Sequence, residues 1–395
     1  MKQEFIFTSG SVTEGHPDKL CDLIADAVID RFLRQDPYSR AIAECAVSKG
    51  ILFIASRFAS EATLDIPEIA RQVIGRIGYN HEEFNSGSCT VMTSLTELPQ
   101  GPENRRDERD LDEDEIERIP ARNIVNAFGF ACNQTPGMLP LPIWLAHKLA
   151  RRLSSVRLQR RLRNLAPDGK TQVSIAYSGG RPVRIHGITI VASQWEGEMV
   201  TPERLREEIL EHVINPAFID ESIKPDGRTL VYINPDGPFV TGGPTLHSGL
   251  TGRKNAVDTY GEYSRHSEAA LSGKDPTRID RVGAYAARYT AKNIVAAGLA
   301  DECEVHLTYS LGQSRPASVQ VETFGTGKQP DETISELARR HFEFRPAGII
   351  RDFGLRHLPS NHDGGFFSKL AAYGHVGRTD IGLPWERTDR THLLT

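Results

Sequence analysis

Residues 11–22 read SVTEGHPDKLCD, and the rest of the chain is organised around them. A short apolar strand at residues 5–8 precedes the run, and a helix follows it. Pro17 sets the backbone where the helix begins, because the N–H it lacks is one that a first helical turn leaves unpaired anyway. Leu20, Leu23, Ile24, Ala27 and Val28 recur at helical spacing and predict a buried stripe. An imidazole, a carboxylate and an ammonium (His16, Asp18, Lys19) thus gather at a helix N-terminus. That set suits a phosphate ester with its metal. The helix end attracts anions, Lys19 adds charge, and Asp18 is a hard oxygen ligand for Mg²⁺. A polar cap on an ordinary helix is the plainer reading, and spacing alone does not separate the two.

A chain of 395 residues exceeds one hydrophobic core and predicts two or three domains. Its composition, 39% hydrophobic and 25% charged, is that of a globular protein. A net charge of −5 leaves no basic footprint for nucleic acid or an anionic membrane. No apolar run approaches the roughly 20 residues needed to span a bilayer. The start, MKQEFIFTSG, lacks the apolar core of a signal peptide. Cys21, Cys45, Cys89, Cys132 and Cys303 are scattered and form no CxxC, which predicts reduced thiols and a cytoplasmic location.

Strands are predicted at residues 41–48 and 51–55, around the turn at Lys49-Gly50, with a helix opening at Asp65 and Pro67 and a strand at 89–95. Residues 101–118, GPENRRDERDLDEDEIER, then read as nearly all charged, without an apolar face: a solvated linker or a mobile loop. An Arg-rich amphipathic helix spans 142–162; its basic face is read as solvated rather than as an RNA surface. Strands at 172–177 and 184–193, a helix from Pro202, and a strand at 229–234 follow. The last third repeats the alternation, with helices at 284–297 and from Asp331 and strands at 303–309 and 318–323. Strand pairs followed by amphipathic helices favour α+β layers, helices packed on one face of largely antiparallel sheets. The linear division this predicts is 1–100, a charged connection at 101–118, then 119–232 and 233–395.

The segments TSGSVTEGHPDK, GLTGRK (249–254), SGKDPTRIDR (272–281) and AAYGHVGR (371–378) together resemble the methionine adenosyltransferase (S-adenosylmethionine synthetase) family. MLPLPIWLAHKLARRL (138–153), PDGKTQV (167–173) and RPAGIIRDFGL (345–355) extend the likeness, in family order, over nearly the whole chain. The resemblance implies three similar α/β-layered domains about a pseudo-threefold axis, and a homodimer or homotetramer with active sites in the dimer interface. It also places a loop over the active site near residues 101–118.

The reaction it implies joins the thioether sulfur of methionine to C5′ of ATP. The expelled triphosphate is cleaved to pyrophosphate and phosphate, with Mg²⁺ and K⁺ as cofactors. By motif match, His16, Lys19, Lys170 and Lys274 are the catalytic candidates. Asp168, Phe239, Arg253, Lys254 and Arg278 contact the nucleotide, Asp18 and Asp280 hold Mg²⁺, and Glu44 belongs to the K⁺ site. SGKD is not a P-loop, since no Ser or Thr follows Lys274 and no glycine opens the loop.

The acceptor half departs from the family pattern. PARNIVNAFGFA (120–131) replaces a glycine-rich GAGDQGLMFGYA, so Asn123 stands for an aspartate. Arg57 stands for a glutamate, Leu98 for a glutamine and His247 for an aspartate. Methionine is the default acceptor. The rivals are a relative acting on a different thioether or mainly cleaving ATP, and a nucleotide-binding partner subunit of an orthodox family member.

Overall fold

The computed structural model describes residues 4–101 and 105–394. Strand β1 (Glu4–Val12) runs into helix α1 (Pro17–Gln35), followed by β2 (Arg40–Ser48), β3 (Ile51–Ala59) and α2 (Ile66–Ile77). A small pair, β4 (Asn80–His81) and β5 (Phe84–Asn85), leads to β6 (Thr90–Glu97). Next come α3 (Glu113–Glu117), β7 (Val125–Cys132), α4 (Leu141–Leu158), and the long hairpin of β8 (Leu165–Ser178) and β9 (Arg181–Gln194). α5 (Pro202–Ile209), α6 (Asn215–Ala217), β10 (Leu230–Ile233), β11 (Gly249–Leu250) and α7 (Asn255–Asp258) follow. The last third holds α8 (Ile279–Ala296), β12 (Glu302–Tyr309), β13 (Ser318–Glu322), α9 (Asp331–His341) and α10 (Pro346–Phe353).

Three sheets carry the fold, ordered β1-β8-β9-β10, β11-β2-β3-β6 and β13-β12-β7. Their pairings are antiparallel except β3 with β6 and β9 with β10. Each sheet turns one apolar face to helices: α1 packs on β2, α4 on β1 and β8, and α8 on β7 and β12. The architecture is therefore α+β, a sheet-and-helix unit used three times. The sheets do not follow the linear division into 1–100, 119–232 and 233–395. β1 pairs with β8, and β7 pairs with β12, so strands from one interval complete the sheet of another. Local periodicity cannot reveal such pairings, because it fixes a strand's face and not its neighbour. No helix among the described residues is long and apolar enough to cross a membrane.

The stretch predicted to be an unstructured charged connection is instead packed down where it is described. Leu111 and Ile116 are buried against Ala347, and α3 opens with a capping box between Asp112 and Glu115. Arg356 grips both oxygens of Glu108 at 2.6 Å, and Arg345 reaches Glu113 and Glu117. Two apolar residues five apart are too few to register as an amphipathic stripe, and the pairing arginines lie more than 200 positions downstream. Residues 102–104 of that stretch lie outside the described residues.

α1 is the most enclosed element near the site, and its buried face is not only apolar. Asp18, Asp22, Asp26 and Asp30 recur every four residues, so they line one side of the helix. Together they accept hydrogen bonds from three downstream loops. Asp18 takes the amide of Leu250 at 3.1 Å, Asp22 that of Gly252 at 2.8 Å, and Asp26 that of Gly273 at 2.8 Å. Asp30 takes the amides of Phe367 and Ser368, both at 2.9 Å. Asp26 is also paired at 2.6 Å with Arg281, and both side chains are 0% exposed.

Removing one partner of such a pair strands the other charge in the core. Asp26→Ala is expected to cost about 3–5 kcal/mol of stability, and Asp26→Ala with Arg281→Met should recover much of that loss. Chemical denaturation of the three proteins checks this; a single variant as stable as wild type would contradict it.

Candidate functional site

The predicted site residues fall into two groups on one chain. The first gathers at the N-terminus of α1. His16 is its N-cap, with Nδ1 accepting the Asp18 amide at 3.2 Å. The residue 249–254 loop crosses directly above: a Cβ on Gly249 would lie 2.2 Å from the Pro17 carbonyl, so only glycine permits the approach. That crossing sets Lys254 Nζ 2.9 Å and Arg253 Nη1 3.5 Å from Asp18. Burial pushes the Asp18 carboxyl up, but the hydrogen bonds from Lys254 and the Leu250 amide outweigh it and leave it below the ordinary range.

Asp168, at the start of β8, is buried beside His16. Its Oδ2 accepts from the Gly243 amide at 2.9 Å and from His247 Nε2 at 2.8 Å. Its Oδ1 is buried without a hydrogen-bond partner. The His16 and His247 rings meet edge to face at 5.1 Å. Phe239 closes this side: a Cβ on Gly242 would come within 2.9 Å of its ring and 3.0 Å of Asp168. Lys170 stands exposed on β8, opposite Val12.

Burial drives the His16 imidazole down to about 4, against the pull of Asp168 and Asp18. It is therefore neutral at physiological pH. The Asp18 amide occupies the lone pair of Nδ1, which leaves the proton on Nε2.

The second group lies along the outer face of the β11-β2-β3-β6 sheet. Arg57 of β3 is opposite Ile42 of β2, and Ile42 bridges to Lys274. Leu98 extends β6 by donating its amide to the Phe58 carbonyl at 2.7 Å, beside Arg57. Lys274 Nζ lies 3.4 Å from Asp280, which also accepts from Asn123 Nδ2 at 3.0 Å. Burial lowers the Lys274 ammonium, and Asp280 offsets this only in part. Glu44 is exposed on the same face, and Arg278 caps α8 one residue before Ile279. Here too a glycine allows the fit, since a Cβ on Gly273 would lie 2.0 Å from the Ala43 carbonyl.

Two expectations change. Lys19 is fully buried, its ammonium held between Asp22 at 2.8 Å and Asp258, so it offers no free charge to a phosphate. It lies at the first turn of α1 but faces the interior. His247, grouped with Arg57, Leu98 and Asn123 from the sequence, sits instead in the first group against Asp168. The site residues read from the sequence do not include Asp22 and Asp26, which seat the cation-bearing loops, or Asp30, which seats residues 367–368. Their four-residue spacing was the available signal.

The ligand atoms of His16, Asp168 and His247 lie within 4.8 Å of one another. Two imidazoles and a carboxylate are a common transition-metal set. Here, however, the His16 Nδ1 lone pair and the His247 Nε2 position are taken by hydrogen bonds. The cluster suits an anionic oxygen better. Hard oxygen donors for a divalent cation remain at Asp18, at Asp280, and at the orphaned Asp168 Oδ1.

The chain matches family models along its length. These are the S-adenosylmethionine synthetase N-terminal domain over residues 4–100, the central domain over 118–239, and the C-terminal domain over 241–387. It is 49% identical to the S-adenosylmethionine synthase of Gloeothece citriformis over 407 aligned positions, covering 100% of this chain and 97% of that one. The enzymes of the same name from Microcystis aeruginosa and Synechococcus elongatus are each 48% identical, with 100% of this chain and 98% of theirs covered. Full-length likeness at this level, with all three domains in order, places the chain in the S-adenosylmethionine synthetase family.

Proposed function

We propose that the protein forms S-adenosylmethionine from ATP and L-methionine and then cleaves the released triphosphate to pyrophosphate and phosphate. The observation that carries this reading is the pair of cation-lined groups, one at the α1 N-terminus and one around Lys274, in a chain of this family. The methionine sulfur forms a bond to C5′ as the C5′–oxygen bond breaks, and the electron pair leaves with the triphosphate. The sulfur becomes a sulfonium, so the attack needs no proton transfer and no covalent enzyme intermediate. The enzyme's task is to stabilise charge growing on the leaving polyphosphate.

His16, as a neutral Nε2–H donor, serves the bridging oxygen of that leaving group. Lys170, Arg253, Lys254, Lys274 and Arg278 take the remaining phosphate charge, and Arg278 does so as a planar fork. Asp168 and Phe239 orient the nucleotide. Members of this family use metal ions. In this chain Asp18 and Asp280 would hold Mg²⁺ and Glu44 would belong to a K⁺ site; the divalent ion, when bound, supplies charge to the phosphates. The compartment this reading favours is the cytoplasm, where the five free, buried thiols stay reduced.

The two groups belong to different sites of a homodimer or homotetramer, each site completed by a second copy. No hydrogen bond or ion pair joins them among the described residues. The outer face between them exposes Ile51 (53%), Phe53 (40%) and Met92 (52%), apolar area that a second sheet would cover.

His16→Ala and Lys274→Ala should each reduce ATP cleavage by about 10²–10³ without loss of fold. With its imidazole at about 4, His16 should add no inflection to the wild-type rate profile between about pH 5.5 and 8. Near-normal turnover in both variants, measured by product formation, would contradict the assignment.

One observation favours a second reading of the acceptor. The Arg57 side chain is exposed on the site face and makes no ion pair among the described residues, so it can meet a carboxylate. A thioether acid lacking the amine, such as 3-(methylthio)propionate, should then compete with methionine. Arg57→Glu with Asn123→Asp should shift the ratio of kcat/KM values toward methionine by about tenfold or more. An unchanged ratio would remove both residues from acceptor choice.

A further inference from the structure

A cavity of about 320 Å³ lies outside both groups, between the start of β2, residues 106–122 and α10. None of the nucleotide, metal or acceptor residues described above lines it. Leu111, Ile119 and Ile350 form an apolar side, and five arginines and two glutamates form the rest of its charge. Arg356 is closed by the two-pronged contact with Glu108 at 2.6 Å, and Arg106 is paired with Glu115 at 2.7 Å. That neutralises both glutamates and leaves Arg40, Arg118 and Arg122, whose side chains make no hydrogen bond or ion pair among the described residues.

Arg40 and Arg122 are close enough to repel. Burial and then Arg122 bring the Arg40 guanidinium down to about 10, and its Nε is buried with no acceptor. Asp275, whose charge offsets part of this, is already committed to the amides of Ala41 at 2.8 Å and Thr277 at 2.7 Å. Arg40 is half-buried and Arg122 exposed at the cavity's edge, so solvent screens part of their repulsion and an anion between them would relieve the rest.

We infer that this cavity binds a small organic oxyanion, a carboxylate or phosphate, with its charged end between Arg40 and Arg122 and any apolar part against Ile119 and Ile350. Its position couples it to the Lys274 group without being part of it. Arg122 immediately precedes Asn123, which holds Asp280, and Arg40 is two residues from Ile42, which bridges to Lys274. An anion tying Arg40 to Arg122 would fix the chain entering β7 against the start of β2. The inference does not depend on which thioether is the acceptor. The anion has two natural sources, the carboxylate of an acceptor or a polyphosphate product.

Titration calorimetry on the full-length protein, with 3-(methylthio)propionate in one arm and pyrophosphate in the other, tests this. The proteins are wild type, Arg40→Gln with Arg122→Gln, Arg122→Gln alone, and Lys254→Ala as a control on the polyphosphate group. At least one anion should bind wild type. The double substitution should weaken that binding by about tenfold or more, since two charge-assisted contacts are lost. Lys254→Ala, which weakens pyrophosphate at the α1 group, should leave the component that depends on Arg40 and Arg122 within about twofold. The arm that shows this pattern identifies the source. Without anion the double variant should melt at or above wild type, because a repulsive pair has been removed. Binding abolished by Lys254→Ala but untouched by the arginine substitutions would overturn the inference. So would binding of neither anion, or a double variant that melts well below wild type.

Discussion

Four aspartates along one side of α1 fix the loops that carry Arg253, Lys254 and Lys274. Asp18, Asp22, Asp26 and Asp30 take backbone amides at residues 250, 252, 273 and 367–368, so a single helix receives three loops from the last third of the chain. Carboxylates buried at this depth are costly unless each lone pair finds a donor. The donors are supplied by loops that must therefore sit where they do. Two of those loops carry the cations proposed to meet the phosphates, Arg253 and Lys254 in one and Lys274 in the other. The positions of the cations follow from the helix and not from any contact among themselves.

This arrangement also explains why one helix turn holds both a fully enclosed lysine–carboxylate contact and one that faces the candidate site. Lys19 and Asp18 are neighbours in sequence, yet Lys19 points inward to Asp22 and Asp258 while Asp18 faces the crossing loop. Burial lifts Asp258 to about 7; burial by itself would lower the Lys19 ammonium, but the Asp22 and Asp258 carboxylates beside it outweigh that and raise it. On the site side the balance is the reverse. His16 is kept neutral by burial, Lys274 is pushed below its usual value, and Asp168 retains an unpartnered oxygen. The neutral His16 N–H and the Lys274 ammonium suit an anionic ligand, and the open Asp168 oxygen suits a cation or a hydrogen-bond donor; the closed Lys19 cluster offers neither.

Much of this was legible before the fold was known, and the failures share a cause. The helix at Pro17, the hairpin after it, the amphipathic helix that became α4 and the strands around Gly179-Gly180 all follow from turn chemistry and periodicity. The fold gathers the residues that the motifs singled out into two groups, and side-chain direction alters the expected surroundings of two of them. Lys19 and His247 sit at the predicted positions but face other partners. Likewise, no local pattern shows that β1 pairs with β8 or that β7 belongs beside β12. Residues 105–118 looked featureless because their stabilising arginines, Arg345 and Arg356, are distant in sequence. The aspartate ladder was visible as spacing, but spacing alone gives no reason to bury four carboxylates.

The central claim is that each chain carries two incomplete halves and that a working site takes one half from each of two copies. Mixing two inactive variants tests it most directly: one lacks His16 (His16→Ala), the other lacks Lys274 (Lys274→Ala), and the chains are dissociated and reassembled together. In a twofold assembly each mixed dimer has one site with both halves intact. Random reassortment therefore predicts recovery of about a quarter of the wild-type rate, while each variant alone stays inactive. A reassembled mixture no more active than the separate variants would mean that both groups serve one site on one chain, and would contradict the account.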